Sequence, residues 1–394
     1  MGGNNLMYEV LTLNKIAKCG LDMLDKDIFT VTDSSDNPDA VILRSFSMHD
    51  MELPKSLKAV ARAGAGVNNI PIDKCSELGI AVFNTPGANA NAVAELVLAG
   101  LLLSSRNVVG GIEWAKGLIG EGDNVGKLVE KGKSAFVGPE IKGKTLGVIG
   151  LGAIGVLVAN LASSLGMKVI GYDPYISIDA AWGLSRDVKK CGDLKILVGK
   201  SDYITMHLPL NDSTKGMMNE EIFDCMENGT RLLNFARGGL VDDSALEKAI
   251  ESGKVACYVT DFPSEKTLKM KNTINIPHLG ASTPESEDNC AVMAAKELSN
   301  FIRYGNIKNS VNYPNCEMIM ESKYRVTIAH KNIPSMLSTI SALFASENIN
   351  IVNMINKSKK DNAYTMVDVD SVPENIEEVI SKLDGVHKVR VIKN

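Results

Sequence analysis

Residues 144–173, KTLGVIGLGAIGVLVANLASSLGMKVIGYD, leave this chain little choice of fold. The apolar run 145–149 suits a strand buried on both faces of a parallel sheet. Gly150, Gly152 and Gly155 follow it at the spacing of a dinucleotide fingerprint. Each answers a separate need: a tight turn, close approach of a pyrophosphate to the backbone, and a helix packed hard against the strand. The apolar segment 156–165 reads as a helix whose N-terminal amides and dipole face the phosphates, with Ala153 and Ile154 also counted among the cofactor-binding residues. A second strand, 168–172, ends at Asp173, eighteen residues after Gly155, where an acid that grips ribose hydroxyls belongs. An aspartate there accepts both hydroxyls and repels a 2′-phosphate, so the reading favours NAD over NADP.

The whole chain has 394 residues, enough for two or three domains. Its net charge of −5 argues against a nucleic-acid surface, which needs clustered Lys and Arg. The seven cysteines are scattered, odd in number and without a CxxC pair. They read as reduced thiols of a cytoplasmic protein, and no motif supplies a metal site. No stretch reads as a signal peptide or a membrane span. Residues 90–105 come near, but Glu95 and the short length mark a buried core helix.

Before the glycine stretch, strands at 8–13, 28–32, 40–43, 59–62 and 80–84 alternate with helical segments, which predicts an α/β domain with a parallel sheet. Polar and small residues gather just past the strand ends: Arg44-Ser45, then Arg62, Ala63, Gly64 and on to Asn68-Asn69, then Thr85. Open parallel sheets place ligands there, so this domain reads as a binding wall with Arg44 and Arg62 able to grip an anion. Residues 113–140 carry no evident chemistry. After Asp173, strands at 202–206, 231–235, 255–259 and 273–276 end in loops holding His207, Arg237, Glu265 and His278. A long helix over 284–304 returns the chain to the first domain, and the polar residues 305–322 read as a linker. Residues 323–394 then follow a βαββαβ order, the ferredoxin-like plan. The expected architecture is α/β: a Rossmann-like substrate domain (1–108 with 285–314), a Rossmann-like NAD domain (109–284) and a small C-terminal domain (323–394).

Arg237, Glu265 and His278 come from three successive strand ends and suit oxidation of a secondary alcohol. A histidine near neutrality can take the hydroxyl proton while hydride leaves to NAD. A carboxylate such as Glu265 can orient its ring and stabilise imidazolium, and Arg237 can hold a substrate carboxylate bidentately. His207 reads as packing near the cofactor, and His49 and His387 as surface residues.

The segments ILRS (42–45), RAGAGVNNI (62–70), NTPGANANAVAE (84–95), VIGLGAIG (148–155), HLPLNDSTKGM (207–217), NFARGGLVDD (234–243), DFPSE (261–265) and PHLGAST (277–283) carry a closer match. Through them nearly the whole chain resembles the D-isomer-specific 2-hydroxyacid dehydrogenases. The resemblance implies Arg237, Glu265 and His278 as the catalytic trio. It implies Arg44, Arg62 and Asn68 on the substrate side, and His207, Pro209, Thr214, Ala236, Gly280 and Ala281 around the cofactor. Many relatives carry an acid where Thr260 stands, against the nicotinamide amide; here the acid is the next residue, Asp261, and either can serve. Glu265 is followed by Lys266 instead of the usual proline. The tail resembles an ACT domain, which often binds amino acids between paired subunits, and His330, Asn332 and Asn350 match its serine-contacting positions. Ser335 stands where that module commonly has glycine. The expected reaction is NAD-dependent oxidation of 3-phospho-D-glycerate to 3-phosphohydroxypyruvate at the head of L-serine synthesis, in a homodimer or homotetramer inhibited by L-serine. The rival readings are another D-2-hydroxyacid dehydrogenase, such as a hydroxypyruvate reductase, and a non-catalytic NAD(H)-sensing regulator.

Overall fold

The computed structural model describes residues 7–394. Contacts divide the chain into two units, one formed by the residues up to Ala88 with Pro284–Asn394, the other by Asn89–Thr283. In the first, β1 (Tyr8–Leu13), β2 (Phe29–Thr32), β3 (Ala40–Leu43), β4 (Ala59–Arg62) and β5 (Ala81–Phe83) form a parallel sheet ordered β2-β1-β3-β4-β5. The central strand AVIL is buried throughout, as a strand covered on both faces must be. Helix Pro284–Tyr304 lies against this sheet. Its Ala291, Ala294, Ala295 and Leu298, spaced by three and four residues, pack with Ala40, Ile42, Ala59 and Phe83.

In the second unit, β6 (Thr145–Ile149), β7 (Lys168–Tyr172), β8 (Lys189–Lys190), β9 (Tyr203–Met206), β10 (Thr230–Asn234), β11 (Val255–Thr260) and β12 (Thr273–Asn275) make a parallel sheet ordered β12-β11-β10-β9-β6-β7-β8. The order reverses between β6 and β9, and ligands of doubly wound sheets bind beyond the strand ends at such a point. The two-lysine strand β8 has no apolar content and leaves no trace in the hydropathy pattern. Helix Ala90–Ser105 differs from the expected domain division. Its Val93, Ala94, Val97 and Leu101 share a core with Val148, Val158, Ala159 and Leu233, so it packs in the second unit. No single helix among the described residues is long and apolar enough to cross a membrane; Ala90–Ser105 and Val108–Lys116 together reach that length but bend by 69°.

The tail forms an antiparallel sheet from β13 (Tyr324–Lys331), β14 (Ile351–Lys359), β15 (Asn362–Val369) and β16 (Val386–Lys393), ordered β14-β15-β13-β16. Helices Met336–Ser346 and Ile376–Ser381 bury Ile340, Phe344 and Ile380 against Val326, Ile328 and Val367. Element order and type match the sequence reading.

The tail is bound to the helix Pro284–Tyr304. A helix leaves its last carbonyls unbonded and its C-terminus partly negative. Arg390 donates from Nη2 to Ile302 O at 2.7 Å and from Nη1 to Phe301 O at 3.3 Å, with its guanidinium over the Phe301 ring. Arg325 donates from Nη1 to Tyr304 O and Met318 O, each at 2.9 Å, while Asp368 holds its Nε and Nη2 at 2.6 and 2.8 Å. Tyr364 donates to Gly305 O at 2.8 Å. Cations of the tail thus complete the helix terminus.

The segment after the helix, read as a linker, is held against the first sheet. Asn312 accepts from Val82 N at 2.9 Å and donates to Ile80 O at 2.9 Å, and Tyr313 donates to Ser76 O at 2.9 Å. Val311 N also donates to Val82 O at 2.8 Å. These polar residues close the open edge of β5 and are buried there.

Candidate active site

The glycine loop begins where β6 ends. Gly150 has φ of +90°, and a Cβ there would lie 2.6 Å from His207 O. At Gly155 a Cβ would lie 2.0 Å from Gly150 O, which fixes how closely the helix Ala153–Ser164 meets the loop. At Gly152, the residue before that helix, a Cβ would meet nothing within 4 Å, so the backbone is open to a ligand at the helix N-terminus. Asp173 directly follows β7, with Oδ2 accepting from Leu151 N and Oδ1 from Tyr175 N, both at 2.8 Å. Each oxygen keeps a further lone pair for a ribose hydroxyl.

Past β9, His207 Nε2 lies 3.0 Å from Thr205 Oγ1, and its buried Nδ1 has no protein partner. Burial drives the imidazole pKa down to about 3, so the ring is neutral at physiological pH. The following turn is stapled by Thr214, whose Oγ1 donates to Pro209 O at 2.6 Å and accepts from Asn211 N at 2.9 Å.

Asn234 ends β10 fully buried. Its Oδ1 accepts from the amides of Ala236 and Arg237 at 3.2 and 3.4 Å, and its Nδ2 donates to Arg237 O at 2.9 Å. The sequence reading assigned Asn234 no role; the signal was a polar residue closing an apolar strand. Held by this clamp, Arg237 is exposed, with Nη1 donating to Ala236 O at 2.6 Å.

At the end of β11, Thr260 and Asp261 part company. Thr260 Oγ1 turns inward to accept from Phe262 N at 3.0 Å. Asp261 is 1% exposed; Oδ2 accepts from Gly280 N at 3.3 Å, while Oδ1 is buried without a protein partner. Burial raises its carboxyl pKa, and the charges of His278 and Arg237 and the Gly280 amide oppose that rise. His278 is exposed, with its ring centroid 4.6 Å from that of Phe262.

Glu265 does not join them. It is the first residue of helix Glu265–Lys269, capped by Ser264 and Thr267, and its side chain is 85% exposed and ion-paired with Lys269. The i,i+4 spacing of a helix sets this pair.

In the first unit, Arg62 Nε donates to Arg44 O at 3.0 Å, and Arg44 Nη1 meets Glu287 Oε1 at 2.7 Å. Gly64, at φ +149°, leaves room for the Arg62 guanidinium, since a Cβ would lie 2.2 Å from Nη1. Ala63 N donates to Leu43 O at 2.8 Å, and His49 Nε2 donates to Asn68 O at 2.9 Å. His49 therefore anchors the Asn68 loop, and His387, expected at the surface, is half-buried. Asn69 donates from Nδ2 to Arg44 O at 3.2 Å and to Phe46 O at 2.6 Å, a staple the sequence did not announce.

The tail holds a cavity of about 260 Å³ lined by residues that include His330, Asn332, Ser335, Met336 and Asn356. His330 Nδ1 donates to Lys331 O at 2.8 Å, and Nε2 lies 2.8 Å from Thr365 Oγ1, so both ring nitrogens are engaged. Burial lowers its pKa. Asn332 donates from Nδ2 to Lys360 O at 3.0 Å. Ser335 adopts φ of +66°, the left-handed conformation that glycine takes without strain. Asn350 is exposed and outside this lining, where Asn356 stands instead.

The open backbone at Gly152, the Asp173 acceptors and the unpartnered Asp261 Oδ1 fit NAD. Asp173→Ala is expected to weaken NADH about 10- to 100-fold, the cost of losing charge-assisted hydrogen bonds. It should also narrow the gap to NADPH. Fluorescence titration with both cofactors checks this, and a wild-type preference for NADPH would contradict it.

Comparison with known proteins agrees with this geometry. Residues 111–280 match the model of the D-isomer specific 2-hydroxyacid dehydrogenase NAD binding domain. A D-3-phosphoglycerate dehydrogenase of Archaeoglobus fulgidus is 35% identical over 292 residues, covering 71% of this chain and 52% of that protein. A putative D-3-phosphoglycerate dehydrogenase of Schizosaccharomyces pombe is 32% identical over 364 residues, covering 85% and 73%. The chain thus spans about half the length of some curated relatives it matches. Among solved structures, the NAD+-bound 3-phosphoglycerate dehydrogenase of Entamoeba histolytica superposes with a TM-score of 0.59 at 26% identity, covering 78% of this chain and 99% of that one.

Proposed function

Because this chain belongs to the D-isomer-specific 2-hydroxyacid dehydrogenases and carries their NAD-binding domain, we propose that it oxidises 3-phospho-D-glycerate to 3-phosphohydroxypyruvate, the first step of L-serine synthesis. The observation that carries this reading is the pair of cations, Arg44 and Arg62, at adjacent strand ends of the first unit. Two guanidinium groups suit a phosphoryl group better than a plain 2-hydroxy acid requires.

NAD supplies the hydride acceptor. His278 takes the hydroxyl proton, since its ring is exposed and its nitrogens are available to substrate. Arg237 holds the substrate carboxylate. Asp261, with a buried and unpartnered oxygen, accepts from the nicotinamide amide and keeps a compensating negative charge near an imidazolium. Glu265 orients the His278 ring once it leaves Lys269. His207, neutral and half-buried, packs beside the cofactor with Pro209, Thr214, Ala236, Gly280 and Ala281.

NADH absorbance with 3-phosphoglycerate at alkaline pH tests the reaction. Turnover of D-glycerate or reduction of hydroxypyruvate alone would move the chain to the nearest rival, and no turnover of any acid would make it an NAD(H) sensor.

In the tail, L-serine would lodge in the cavity beside Asn332, its carboxylate toward the N-terminus of helix Met336–Ser346. Asn350 would come from a second subunit of a cytoplasmic homodimer or homotetramer. Calorimetry is expected to show heat with L-serine that Asn332→Ala abolishes. Equal inhibition by serine after that substitution would remove the tail from regulation.

A further inference from the structure

The two arginines of the first unit are not equivalent. Arg62 is half-buried and donates one N–H to Arg44 O, and no carboxylate among the described residues pairs with it. Burial and the neighbouring charge of Arg44 both lower its pKa, the signature of a cation short of a counter-charge. Arg44 has a counter-charge: Glu287, at 2.7 Å, on the first turns of helix Pro284–Tyr304. Glu287 is not needed to place Arg44. The Arg44 main chain is fixed by Arg62 Nε and Asn69 Nδ2 on its carbonyl, and the amides of Ser45 and Phe46 are fixed by Asn14 Oδ1 at 3.0 and 2.7 Å. Its guanidinium alone is held by the acid, in a pair whose side chains are 42% and 46% exposed. Such a pair exchanges partners readily, because solvent screens it.

We propose that Glu287 is a displaceable counter-ion that sets how tightly this wall of the molecule holds a phosphoryl group. The inference rests on the assignment of Arg44 and Arg62 to an anionic substrate. With Glu287 in place the trio carries one net positive charge, and a phosphate dianion must draw Arg44 from the acid to be held by both guanidinium groups. As phosphorylated product leaves, Glu287 recaptures Arg44. The acid lowers affinity for substrate and product alike and so favours release. An unphosphorylated acid, with half the charge at most, responds less.

The test is Glu287→Gln in the NAD-loaded protein, which keeps side-chain length and removes the charge. Kd for 3-phosphoglycerate and for inorganic phosphate is expected to fall about 10-fold, with a steeper dependence on salt, because Arg44 no longer has to be drawn from a counter-ion. Binding of D-glycerate should change less than about 2-fold by the same reasoning. In an Arg44→Ala background the substitution should have no further effect, since Glu287 acts through Arg44. A purely structural role would not depend on that background. Phosphate affinity that is unchanged or weaker in Glu287→Gln, or tighter in both backgrounds, overturns the proposal. If 3-phosphoglycerate is not a substrate, the assignment of the reaction fails, while the inorganic phosphate titrations still decide the role of Glu287.

Discussion

His278→Asn is expected to cut turnover by about 100- to 10,000-fold, the usual worth of a positioned general base. Cofactor binding should survive. The elements proposed to receive NAD, the loop at Gly150–Gly155 and the acid Asp173, are held by bonds in which His278 has no part. Its one described ring neighbour is Phe262, so loss of the imidazole leaves the strand ends in place. Asn234 continues to clamp Arg237, and Asp261 continues to accept from Gly280 N. Asp261 would nevertheless lose one of the two side-chain charges that oppose its burial, and its carboxyl pKa should rise further. The variant should therefore bind NADH within about 3-fold of wild type, since no hydrogen bond to the cofactor is removed, yet fail in single-turnover hydride transfer. A rate near wild type would take His278 out of the mechanism.

The largest effect on stability is expected at Asp368. Asp368 and Arg325 form a bidentate pair with side chains 2% and 0% exposed. Asp368→Ala leaves the guanidinium buried with two backbone carbonyls and no counter-charge, which costs about 3–5 kcal/mol. Part of the loss should fall on the end of helix Pro284–Tyr304, because Arg325 completes it through Tyr304 O. Urea unfolding followed by tryptophan-independent circular dichroism should show the transition that includes the tail at clearly lower denaturant. Replacing both partners with apolar residues of similar volume should recover much of the loss, since no charge then remains buried. The exposed pair Lys382–Glu378 makes the control: Glu378→Gln should leave the midpoint unmoved. Equal midpoints for Asp368→Ala and Glu378→Gln would mean that Arg325 finds water in the folded state.

Some of this molecule is determined by local pattern. The glycines at 150, 152 and 155 and the acid at 173 are specified by backbone conformation and close approach within one βαβ unit. The βαββαβ order of the tail follows from alternation along the chain. Strand ends could be read because polar residues interrupt apolar runs, and this brought out Arg44, Arg62, Arg237 and His278 together. Pairings between distant residues were decided only by the tertiary structure. Periodicity did not show that the oxygen of Asp261 and not the hydroxyl of Thr260 would stay unpartnered, or that Glu287 would meet Arg44 across more than two hundred residues. It assigned helix Ala90–Ser105 to the wrong unit, because an apolar face does not name the surface that covers it. Residues 305–322 looked like linker because they are polar, yet Asn312 and Tyr313 are buried where a sheet edge needs donors and acceptors. Sequence pattern reports what each residue needs, burial or a partner; only the folded chain decides which distant group supplies it.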